Sequence, residues 1–84
     1  MKKSIDEIFQ DVGQEIQRAR SNFPSNKHLV LALAEESGEV VKAFLDYSQG
    51  KCSYSQVEKE LIQTITVAVR LMQEGDADFQ GKIE

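Results

Sequence analysis

Two stretches of this chain each carry a pair of oxygen-donor side chains at the same interval: Glu36 and Glu39, then Glu60 and Gln63. Residues spaced i, i+3 point the same way on a helix, so each pair would present both members to one neighbour. Glu35 precedes the first pair and stands one turn from Glu39. In the first stretch, Leu29, Ala32, Leu33, Val40, Ala43 and Phe44 form an apolar helical stripe, with Glu36 and Glu39 inside it or on its edge. In the second, Glu60, Gln63, Val67 and Arg70 share one stripe and Gln63 is embedded in an apolar run. A charge on the buried side of a helix is expensive unless something pairs with it. Two antiparallel helices with a short connection pack face to face, which would gather three carboxylates and one amide in a small volume. Two unit charges ~4 Å apart repel by roughly 4 kcal/mol at an effective dielectric of 20, so such a cluster favours a cation. Oxygen-only donors suit a hard ion, Mg²⁺ or Mn²⁺, and the absence of His and Cys from the set disfavours zinc. A plainer account stands beside this one. Glutamates at helical spacing are commonly solvated, and a buried Gln63 amide could simply fix helix register.

The elements that must position these residues are marked by periodicity and punctuation. Ser4 and Glu7 form a capping box that opens a first helix, in which Ile5, Ile8, Phe9, Val12, Ile16 and Ala19 keep helical spacing to Arg20. Pro24 ends that segment and Asn26 is a good cap for a second helix from about Lys27 to Ser48, stopped by Gly50. Ser53 with Gln56 and Ser55 with Glu58 form overlapping capping boxes for a third helix, which runs to about Glu74 and stops at Gly75. The β-branched run ITVAV at 65–69 competes as a strand. Val57, Leu61, Ile65, Ala68 and Met72 keep spacings of three and four, which favours helix. The expected fold is all-α: one domain, residues 1–84, of three main helices that assemble into four-helix-type bundles by oligomerisation. The tail ADFQGKIE is expected to be loose or to dock on a neighbour.

Composition bounds the function classes. A chain of 84 residues buries little core alone, so it leans on idealised helix packing, oligomerisation or both. The apolar arc of the third helix, from Leu61 to Met72, is wide enough to predict a homodimer or homotetramer. A net charge of −4 argues against a nucleic acid polymer as partner, while leaving room for phosphates bridged by a divalent cation. No apolar run approaches ~18 residues and the start MKKSIDEIF lacks a signal-peptide core, so no membrane contact and a cytoplasmic location are expected. The lone Cys52 forms no internal disulfide.

Glu35-Glu36-Ser37-Gly38-Glu39 followed by Glu60-x-x-Gln63 resembles the signature of the MazG-like all-α nucleotide pyrophosphohydrolases, E-E-x-x-E, a spacer, then E-x-x-D. The resemblance extends from about Asn26 to Asp76 and includes the Lys27-His28 opening, the run LALAEE and the closing R-L-x-x-E-G-D. It implies an enzyme that cleaves a nucleoside triphosphate to the monophosphate and pyrophosphate, with Mg²⁺ or Mn²⁺ as cofactor, in dimers or dimers of dimers. By position, Glu36, Glu39 and Glu60 match the metal-binding acids of that family, Gln63 takes the place of its last aspartate, and Glu35 is auxiliary. On this reading Glu35 or Glu39 orients a water as general base. Lys42 and Arg70 reach the phosphates, and His28 with Phe23 contributes to a base pocket. The chain departs from the pattern at Gln63, where a neutral carbonyl replaces an anionic ligand and puts turnover in doubt. Gln63 equally suits the rival from another class, a noncatalytic helical metal- or protein-binding regulatory module.

Overall fold

The computed structural model describes residues 2–79. It is all-α: α1 spans Ile5–Asn22, α2 Leu29–Ser48 and α3 Tyr54–Glu74, followed by a 3-10 turn at Ala77–Phe79. There is no strand among the described residues, and the run at 65–69 lies wholly within α3. The expected tail falls partly in the 3-10 turn; its residues 80–84 lie outside the described residues. No helix of the described residues is long and apolar enough to cross a membrane.

The helices start and stop for identifiable reasons, not all of them those expected. At α1 the capping box forms as expected: Glu7 N–H donates to Ser4 Oγ and Ser4 N–H donates to Glu7 Oε1. The helix outlasts Arg20 by two residues. Helix α2 begins at Leu29 rather than Lys27, because His28 takes the left-handed conformation at the cap with φ 65°. Asn26 does not cap it. Its amide instead donates to the Glu74 and Gly75 carbonyls and ties down the end of α3. The cap of α2 arrives from across the molecule, where the buried Asp76 carboxylate accepts from the backbone N–H groups of His28 and Val30. Neither expected box forms at α3: Ser53 is its N-cap without a side-chain bond to the helix backbone, and the two hydroxyls of Ser53 and Ser55 pair with each other at 2.6 Å. Gly75 ends α3 with φ 69°, a conformation that favours glycine.

Helix α3 is central. It packs against α2 along one side and α1 along another, while α1 and α2 do not pack on each other. The buried apolar core is small: Val12, Leu29, Ala43 and Val57, with Thr66 and Arg70 buried beside them. On α3 the expected stripe holds only in part. Val57 is fully buried, Ile65 is partly exposed and Met72 is 79% exposed, while most of the remaining arc is half-buried beneath its two neighbours. Exposed apolar side chains also lie on α2, at Leu31, Val41 and Leu45, and on α1, at Ile5 and Phe9.

Candidate metal centre

The α2–α3 pairing brings the two spaced motifs together. Glu36, Glu39 and Glu60 each offer a carboxylate oxygen, and these atoms all lie within 4.8 Å of one another. Glu36 Oε2 and Glu60 Oε1 are buried and have no hydrogen-bond partner. The second Glu60 oxygen, Oε2, accepts from Gln56 Nε2 at 2.8 Å, one turn earlier on α3. That bond aims the free oxygen at the cluster. Gln56 was not among the candidate residues, although its i, i+4 spacing to Glu60 carries the signal.

The electrostatics reflect the crowding. Glu36 is pushed up from 4.5 to about 7, first by burial, then by the Glu39 charge and a carboxyl–carboxylate contact with Glu39, then by Glu60 and Glu35. Proximity of like charges and loss of water both disfavour the ionised form. Two orphaned buried oxygens in an all-oxygen donor set suit a hard divalent ion, which would satisfy both at once.

Beside the cluster a cleft of about 350 Å³ opens between α1 and α2, floored by α3. Glu35 and Glu36 line it from α2, Gln63 and Arg70 from α3, and Arg18 from α1. Glu35 is exposed and Gln63 half-buried. His28 and Phe23 also line the cleft. His28 Nδ1 lies 2.6 Å from Asp78 Oδ2, which orients the ring.

The two expected phosphate cations are differently engaged. Arg70 is buried, and its guanidinium donates to both Glu74 oxygens at 2.9 and 3.0 Å and to the Ser25 carbonyl. It fastens the α1–α2 loop to α3. Lys42 is exposed, donates to Asp46 at 2.9 Å and is not part of the cleft wall. Lys27 is the cation that composition concealed: it is exposed on the cleft wall and makes no ion pair among the described residues. Comparison of the chain with protein-family models, with curated proteins and with solved structures finds no match.

Proposed function

We propose that this chain is a divalent-cation-dependent nucleoside triphosphate pyrophosphohydrolase. The observation that carries the reading is the convergence of Glu36, Glu39 and Glu60 with two buried carboxylate oxygens left unbonded. These three side chains would hold the ion, with the Gln63 carbonyl as a neutral fourth donor. When bound, Mg²⁺ or Mn²⁺ supplies charge neutralisation at phosphate oxygens and acidifies a coordinated water. The chain's own residues do the rest. Glu36 and Glu60 are held by burial and by Gln56, so their donor atoms need little reorganisation. Glu35, exposed at the cleft edge, is free to accept a proton from an attacking water. Lys27 brings positive charge to the cleft wall, where a triphosphate would lie. His28 and Phe23, which line the same cleft, offer a ring edge and a face to a base.

Gln63 favours one other reading, a noncatalytic cation-binding module on the same fold, because it withholds the anionic ligand that the resemblance calls for. A pyrophosphate-release assay over the common ribo- and deoxynucleoside triphosphates, with Mg²⁺ and with Mn²⁺, separates the two. Activity toward at least one nucleotide, lost in Glu36→Gln and Glu60→Gln, is the expected result. Inactivity across the panel with the cation bound supports the module.

A further inference from the structure

We infer that Gln56 tilts the cation preference of the acidic site between α2 and α3: by holding one oxygen of Glu60 it leaves that carboxylate a single oxygen for an ion, which favours Mg²⁺ or Mn²⁺ over Ca²⁺. The inference deepens the proposed function and rests on its cation site. Gln56 stands where the sequence reads a capping box with Ser53, and the box does not form. Its side chain runs along α3 instead, and its amide nitrogen donates to Glu60 Oε2 at 2.8 Å. Only the nitrogen of that amide can face the carboxylate, because two acceptors at this distance would repel. Both residues are half-buried, so the bond is partly shielded from water.

The bond divides the two oxygens of Glu60. Oε2 is taken by Gln56, and Oε1 is left buried without a partner. Glu36, Glu39 and Glu60 can give an ion one oxygen each. With the Gln63 carbonyl these make a short donor set, which leaves an octahedral ion positions for water or phosphate oxygens. Mg²⁺ accepts such a set, since it keeps several waters and takes about six ligands. Ca²⁺ is larger, gathers about six to eight oxygens and commonly uses both oxygens of a carboxylate. To bind through both oxygens, Glu60 would have to give up the bond from Gln56 and leave a half-buried amide N–H unpaired. That cost falls on Ca²⁺ and not on Mg²⁺. Removing the donor lifts it. A hydrogen-bond partner behind a metal ligand changes metal affinity by about 10–100-fold.

Calorimetric titration of Mg²⁺ and of Ca²⁺ into the metal-free protein tests this, with the ratio of the two dissociation constants as the readout. Gln56→Met removes the donor at nearly the same volume, and is expected to shift that ratio toward Ca²⁺ by about tenfold relative to wild type. Gln56→Ala, which adds no apolar bulk, is expected to shift it the same way. Gln56→Lys restores an N–H donor of sufficient reach. Its added charge weakens both divalent ions alike, so the ratio is expected to return to the wild-type value. A bond that served only to stabilise α3 would lower the melting midpoint in chelator and leave the ratio unmoved. An unchanged ratio in both Gln56→Met and Gln56→Ala, or a shift toward Mg²⁺, overturns the inference while the cation site stands. Wild type that binds neither ion overturns the site and the inference together.

Discussion

Glu36 is placed where its charge is least welcome in the absence of a cation. Its neutral isostere should relieve that strain, so Glu36→Gln is expected to melt several degrees above wild type in chelator at pH 8. A gain of about 1 kcal/mol raises the midpoint of a domain this size by roughly 4–8 °C. The same variant should lose any stabilisation by Mg²⁺, and thermal melts in both conditions check the pair of outcomes. Gln63→Asp moves the opposite way, adding a fourth anion beside the cluster. It should tighten Mg²⁺ in calorimetry while lowering the metal-free midpoint. At this scale the sequence was informative because helical period alone decides that Glu36 and Glu39 point together, as do Glu60 and Gln63. The fate of Arg70 was not legible. An arginine at that spacing pairs with a phosphate or with Glu74 equally well, and only the path of the α1–α2 loop buries it against Glu74 and Ser25.

Asp76 shows how elements depend on one another here. Its carboxylate accepts from the backbone N–H groups of Val30, Asp78 and His28, and these bonds, Val30's first, lower its pKa from the ordinary carboxylate value. Asp76→Ala leaves two donors without their acceptor at the N-terminus of α2, where no side chain of its own substitutes, and a third, Asp78 N–H, in the 3-10 turn. A loss of about 1–3 kcal/mol is expected. Hydrogen exchange should quicken first at Val30 and its neighbours, and unchanged exchange there would show that water replaces the cap without cost. The three helices themselves were legible, since stripes, Pro24, Gly50 and Gly75 act locally. The caps of α2 and α3 were not. Asn26 and Ser53 have the right side chains for capping, but tertiary partners or neighbouring hydroxyls claim them.

For the molecule as a whole, two carboxylates pull stability in opposite directions along the pH scale. Glu74, bonded by Arg70 and by Arg20 of α1, is lowered from 4.5 to about 2. Its contribution is present above pH 4.5 and is lost as pH falls toward 2, because the folded state then resists a proton that the unfolded chain takes up. Glu36 is raised from 4.5 to about 7. Its contribution is present below pH 4.5 and is lost as pH rises through 7, where the folded state must carry the ionised cluster. The metal-free chain should therefore be most stable near pH 5 and weaken on either side. A bound cation changes only the alkaline limb, since it requires the carboxylates ionised and competes with the proton on Glu36. At 100 times its dissociation constant an ion adds about 2.7 kcal/mol, roughly 10 °C or more for a chain of this length. Millimolar Mg²⁺ or Mn²⁺ should accordingly raise the midpoint strongly at pH 8 and little at pH 5, abolishing the alkaline decline seen in chelator. Equal midpoints with and without both ions at pH 8 would leave the three glutamates as a repulsive cluster with no ligand, and the proposed chemistry would fall with them.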